Sequence, residues 1–357
     1  MKFLRTVLAA TALCASTTSA LALDFQLSFI AGTSLQEQQS FITAASMWSA
    51  KFSDPVTVKL TVGTGALDAG VLAQAGSRRL VGSYSSVAAQ LALDATSALD
   101  DTAVANLTAG PSFGLLMNRT SDNPNGAGSA TPFVDANGSA NNSQIRLTAA
   151  NARALGYTFG VGGVSGGCTD CDAFIQFSTG FSWDHDGSDG ITAAAYDFVG
   201  IAVHEIGHAL GFVSGVDTMD ANSTGAFGSN AFTYVSPLDL FRWSDESRAA
   251  NVSDWTADNR DKYFSVDRGL TEGALFSNGV TRGDGRQASH WKDNQGIGIL
   301  DPTAARGEFL SISENDLMAL DAIGWDRAAA VPIPSTLLLS GLGLLALLGS
   351  RRGQRRA

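Results

Sequence analysis

Apolar positions along the chain change period several times, and each change predicts an element. Asp24 to Ile30 alternates apolar and polar residues, the period of a half-buried strand. From Leu35 to Phe52 the period lengthens, with Phe41, Ala45, Trp48 and Phe52 at helical spacing. Pro55 closes that helix, and the β-branched run Val56 to Val62 predicts a strand. Tyr84 to Leu93 predicts a second helix. Residues 119–143, dense in Asn, Gly, Ser and Asp, predict an exposed loop. Ile145 to Leu155 predicts a short helix and Ala173 to Ser178 a strand. A helix over Ala193 to Gly211 follows. At ~100° per residue its Val199, Val203, Ile206 and Leu210 fall in one sector, while His204, Glu205 and His208 point to the other side. Residues 216–289 form a long, mostly polar excursion, with Ser236 to Phe241 its most apolar piece. A last helix spans Ile312 to Trp325, with Ser311 or Ser313 as cap and Leu317, Leu320 and Ile323 as its buried stripe.

The two ends depart from this pattern. Met1 to Arg5 is short and basic, Thr6 to Ala15 is apolar, and Ala20-Leu21-Ala22 supplies small residues. That layout predicts a secretory signal peptide over residues 1–22. At the other end Val331-Pro332-Ile333-Pro334 precedes an apolar run, Ser335 to Ser350, then Arg351, Arg352, Arg355 and Arg356. The run predicts a membrane-spanning helix near the short limit, its end held cytoplasmic by the arginines. Residues 23–330 between them suit one large domain, with 216–289 as an insertion.

Charge sharpens the picture. The chain carries −11, yet its two ends hold six cations (Lys2, Arg5 and the four terminal arginines) and no carboxylate, so the body stands at −17. Such acidity excludes nucleic acid as a partner and fits an extracellular protein. The 39 glycines predict many turns. Cys14 lies in the signal segment, which leaves Cys168 and Cys171. In an oxidising compartment they form a small disulfide loop; a redox dithiol and half a metal site are the alternatives. Asp184, Asp186 and Asp189, with two glycines, suggest a turn into the next helix, or a calcium site without EF-hand spacing.

The chemistry centres on His204-Glu205-Ile206-Gly207-His208. Two histidines four apart on a helix lie one turn apart and reach one metal ion. The intervening Glu205 is placed as general base toward a water that zinc activates. Zinc needs a third protein ligand. The candidates are few: His185 in the acidic turn, Ser214, Asp217 and Asp220 just past the helix, and His290, distant in sequence but the best ligand by chemistry.

His204 to Phe212 resembles the metzincin clan of zinc endopeptidases. In that clan a Gly, here Gly211, turns the chain and a third His follows three residues later, where this chain has Ser214. The leishmanolysin-like branch instead inserts a long segment and takes its third His from a His-Trp pair, which His290-Trp291 matches. Gly298 to Pro302 stands at the Met-containing turn of that branch, with Leu300 in place of Met. Residues 24–325 also resemble bacterial exported HExxH metalloproteases, through the motif helix, Ala288 to Asp293, and Ala322 to Trp325. Residues 331–356 resemble PEP-CTERM sorting tails, with Ile333 as in the VPLPA-type variants. The resemblance implies an α+β fold: a twisted sheet and active-site helix above, a mainly irregular and helical lower subdomain below. It implies zinc on His204, His208 and His290, with Asp217 as the alternative third ligand. It also implies hydrolysis of internal peptide bonds with Glu205 as base, and tail processing by an exosortase-type machinery in a Gram-negative-type envelope. Tyr234 and Tyr263 are oxyanion candidates by type alone. Two rival functions stand beside this one: a non-catalytic surface or matrix protein that keeps the fold, and a hydrolase of non-peptide bonds.

Overall fold

The computed structural model describes residues 22–160, 162–164, 167–222 and 225–329. Most of the signal segment and the whole sorting tail lie outside the described residues. Among those described, no helix is long and apolar enough to cross a membrane.

The chain is mixed α+β. Its main sheet has four strands in the order Asp24–Phe29, Thr57–Gly65, Ala173–Ser178, Ala73–Ser77. The first three are mutually parallel, and Ala73–Ser77 runs antiparallel at the edge. The helix Leu35–Ser49 connects the first two strands. Ser34 and Glu37 start it with a reciprocal capping box that satisfies two otherwise orphaned amides. Its Phe41, Ala44, Ala45 and Trp48 are buried, as the helical spacing predicts.

That apolar stripe packs against the motif helix, Phe198–Leu210. The Phe41 ring meets Phe198 edge-on at 5.0 Å and Phe177 of the sheet at 5.1 Å. The buried Trp48 indole donates to the Val203 carbonyl at 2.9 Å. Helix, helix and sheet thus share one core, which fixes the motif helix in rotation as well as in position.

The motif helix begins at Phe198 rather than Ala193. Tyr196–Asp197 is instead paired with Trp183–Asp184, and Asp197 caps the helix by accepting from Gly200 N at 2.8 Å. At the other end Gly211 has φ +125°, a conformation that a Cβ would strain, and this turns the chain out of the helix.

Four further stretches differ from the sequence expectation. Residues 145–155 are not one helix. Gln144–Thr148 is a strand paired with Arg79–Ser83, and only Ala149–Ala154 is helical, with Thr148 as its cap. Buried Ile145 and Leu147 alternate with half-buried Gln144 and Arg146, a period of two too short to stand out. Residues 119–143 are not simply an exposed loop: Phe133–Asp135 pairs with Leu115–Met117, and Ala140–Ser143 forms a helical turn. Asn123, Asn141 and Asn142 are buried because their amides serve as cross-links: Asn142 Nδ2 donates to Asp135 O at 3.1 Å and Asn123 Nδ2 to Thr131 O at 3.0 Å. In its described residues the 216–289 excursion is not a polar loop, and many of them are buried. It holds the helices Val216–Asn222 and Asp245–Ala250, and a small antiparallel sheet of Arg242–Trp243, Lys262–Phe264 and Leu275–Phe276. Trp255, Phe264 and Phe276 fill its core, and Arg242 is enclosed with them. The last helix is shorter than expected, Glu314–Asp321, and Ser313 is its cap. Cys168 and Cys171 form a disulfide.

Carboxylates collect where this last helix ends. Burial, with Coulombic repulsion from neighbouring carboxylates, pushes Asp54, Asp94 and Asp321 each up to about 7. Asp321 Oδ1 is buried with no hydrogen-bond partner. A carboxyl whose pKa is raised on folding stabilises fully below its unfolded value, and that stability is lost as pH rises through the folded value. Asp321→Asn should therefore raise Tm relative to wild type more at pH 8 than at pH 5. Thermal melts of the two metal-free proteins measure this; a gap that does not widen with pH would refute it.

Candidate metal centre

The motif helix places His204 and His208 one turn apart, and the loop before Trp291 brings in His290 from the far end of the 216–289 segment. The three Nε2 atoms face one another, at 3.0 Å (His208 to His204), 3.1 Å (His208 to His290) and 3.3 Å (His290 to His204). Among the described residues this is the one group of three or more His, Cys, Asp or Glu ligand atoms that converge.

The other ring nitrogens explain why they converge. His204 Nδ1 lies 2.8 Å from Ile299 O, His208 Nδ1 2.7 Å from Phe212 O, and His290 Nδ1 3.3 Å from Gln287 O. A carbonyl only accepts, so each Nδ1 carries the proton and each Nε2 is left as a lone pair. Burial keeps the rings neutral: it pushes His204 down to about 4, His208 to about 3 and His290 well below the usual range. Three lone pairs therefore confront one another with no proton to share. A cation at their centre resolves this. Zinc bonded at 2.0–2.1 Å in tetrahedral geometry separates its ligand nitrogens by about 3.3 Å, so the three histidines fit such an ion.

The support behind the histidines is carboxylate. Asp217 accepts from Ala288 N at 2.6 Å and Ser289 N at 3.2 Å, and from the Ser289 hydroxyl. It thus holds the backbone before His290, and the structure places it behind the site instead of among the converging atoms. Buried Asp316 ties both halves of the centre together. Its Oδ1 accepts from the Trp291 indole at 2.8 Å, and its Oδ2 from Ile299 N at 2.8 Å, which sets the Ile299 carbonyl against His204. Leu300 is fully buried beneath the motif helix. A Cβ on Gly207 would come within 3.1 Å of it, so glycine there lets the turn approach closely.

Glu205 is 7 % exposed, and desolvation pushes its pKa up to about 8. Among the described residues none donates a hydrogen bond to it or pairs with it. A desolvated carboxylate with no protein partner beside the converging imidazoles is free to take a hydrogen bond from a water or ligand at the site.

The remaining candidates do other work. Asp220 accepts from Thr281 N and Arg282 N, and the Ser214 hydroxyl donates to Asp239. His185 is half-buried, 2.9 Å from Ser40 Oγ and packed on Phe198. Asp184 and Asp186 build their turn by accepting from Thr192 N and Ser188 N. The Tyr263 hydroxyl donates to Gly269 O, while Tyr234 is exposed with its ring against Arg146. Sequence reasoning missed Asp316, although Ser313-x-x-Asp316 is a capping box legible in the chain. It had no signal for the three anchoring carbonyls, which belong to the backbone.

No protein family, curated protein or solved structure matched this chain.

Proposed function

We propose that the protein is an exported zinc-dependent endopeptidase of the metzincin type, close in plan to the leishmanolysin-like branch. One observation carries the proposal: three neutral, carbonyl-anchored imidazoles converge on one point beside a buried carboxylate that has no partner among the described residues. A zinc ion bound there would polarise a substrate carbonyl and acidify a water. His204, His208 and His290 hold the ion. Glu205 takes the water's proton and later delivers it to the leaving amine. The buried floor of Leu300 and Trp291 keeps bulk water from beneath the ligands. Export by the N-terminal segment, and surface sorting through the tail by an exosortase-type machinery, would bring the enzyme to protein substrates outside the cell.

The full chain is expected to carry about one zinc per molecule and to cleave an unstructured protein at internal bonds. Chelation should abolish cleavage and zinc should restore it. A chain that binds zinc but cleaves nothing would instead be the non-catalytic surface protein; one that binds no metal would overturn the proposal.

A further inference from the structure

Among the described residues, two arginines near the histidines form no ion pair with a carboxylate. Arg79 opens the strand Arg79–Ser83, which runs antiparallel to Gln144–Thr148 with Arg79 opposite Thr148 and Val81 opposite Arg146. Side chains two apart on a strand share a face, so Arg79 and Arg146 are diagonal neighbours on one face. Both ends of this strand pair lead to the metal centre. Thr148 caps the helix whose Asn151 packs on Gly211, the residue that closes the motif helix. Arg146 N donates to Val235 O at 2.8 Å, and the adjoining Tyr234 carbonyl lies against Gly215. Ser214 N, one residue back, donates to the hydroxyl of Ser289, the neighbour of His290. The charge of Arg79 is felt by His208, Asp217 and Asp239.

Among the described residues neither guanidinium is spent on an ion pair. Arg79 is exposed to solvent, and desolvation with the charge of Arg146 lowers its pKa. Arg146 lies over the Tyr234 ring, 3.9 Å from its centroid, and its Nε is buried with no hydrogen-bond partner. Elsewhere Arg153, Arg260, Arg286 and Arg327 pair with carboxylates, and Arg78, Arg119, Arg242 and Arg268 donate to carbonyl oxygens. Asp217 and Asp239 lie near Arg79 but are committed to backbone and hydroxyl donors. In a chain with net charge −11, two neighbouring arginines with no direct ion pair among the described residues are poised for an anion from outside.

We propose that Arg79 and Arg146 form a carboxylate-binding subsite beside the metal centre, so that the enzyme prefers peptides presenting an acidic side chain or a free C-terminus there. The inference rests on the endopeptidase reading and gives it a substrate class. Guanidinium groups bind carboxylates through two parallel hydrogen bonds, which an amide of the same shape cannot return. Stacking on Tyr234 holds Arg146 for that contact.

The test uses the zinc-loaded full chain and matched peptides: Glu against Gln at each internal position, and a free against an amidated C-terminus. The expected result is a kcat/KM about 10–100-fold higher for one carboxylate form over its amide. A preference at an internal position assigns the side chain as source, and one at the terminus assigns the C-terminus. Arg79→Met with Arg146→Met should collapse that ratio. A parallel arm measures binding of the same peptides to the Glu205→Gln protein by fluorescence anisotropy. Equal binding of carboxylate and amide forms there, or equal cleavage by wild type, overturns the subsite. Preferential binding without any wild-type cleavage leaves the subsite standing and overturns the endopeptidase reading instead.

Discussion

Glu205→Gln should lower peptide hydrolysis by about 10²–10⁴-fold while zinc stays at about one per chain, the loss expected when a general base is removed. Glutamine keeps the size and shape of glutamate but cannot take a proton. The exchange breaks no internal contact, because among the described residues nothing hydrogen-bonds to the Glu205 carboxylate. The three imidazoles are anchored through Ile299, Phe212 and Gln287, and none of these contacts involves Glu205. Metal content and activity should therefore separate cleanly. The metal-free proteins offer a second readout. Burial raises the Glu205 pKa to about 8, so folding favours its protonated form, and wild-type stability falls as pH rises from the ordinary carboxyl range through 8. Glutamine does not titrate. The variant should be the more stable of the two at pH 9, with the gap closing toward pH 4. Full activity in Glu205→Gln would remove the base from the mechanism, and loss of zinc would make Glu205 part of the metal's support instead.

Much of this site was legible before the fold was known, and the part that was not has a common cause. The motif helix announces itself because one face repeats Val203, Ile206 and Leu210 toward the core while His204 and His208 occupy another; that period is local. Glu205 was read as facing away from the core, and it proves nearly as buried as the core, at 7 % exposed. The first two main-sheet strands and the helix between them were legible for the same local reason. The 216–289 segment was not. Its polar residues are buried through partners far away in sequence: the Arg242 guanidinium donates to Ser277 O at 2.7 Å, and Ser244 Oγ donates to Asp254 Oδ2 at 2.6 Å. A polar residue reads as exposed unless its partner is known, so a segment cross-linked by such bonds looks like a loop. His290 illustrates the limit. Its chemistry marked it as a ligand, but its position depends on Asp217, Asp316 and Arg242, each from a separate element.

The same carboxylates decide what the ligand's own removal should do. His290→Ala deletes one of three Nε2 atoms, and Asp217→Asn leaves all three but loosens the loop that aims one of them. An asparagine keeps a single acceptor oxygen where Asp217 now takes Ala288 N, Ser289 N and the Ser289 hydroxyl. Supporting partners of this kind typically cost 10–100-fold in metal affinity, and Asp217→Asn should weaken zinc by about that much. His290→Ala should weaken it further, since two imidazoles and water must then hold the ion. Stability should rank the opposite way. In the metal-free protein repulsion among the three Nε2 lone pairs offsets what the buried His290 ring contributes, so His290→Ala should cost less apo stability than Asp217→Asn. Asp217→Asn should cost about 1–3 kcal/mol, because buried donors at Ala288 and Ser289 lose their acceptor. Zinc titration and urea unfolding of the two variants give four numbers. The crossed pattern distinguishes a ligand from the residue that positions it. If Asp217→Asn loses zinc more completely than His290→Ala, with apo stability intact, the third ligand is Asp217 and the loop must rearrange to deliver it.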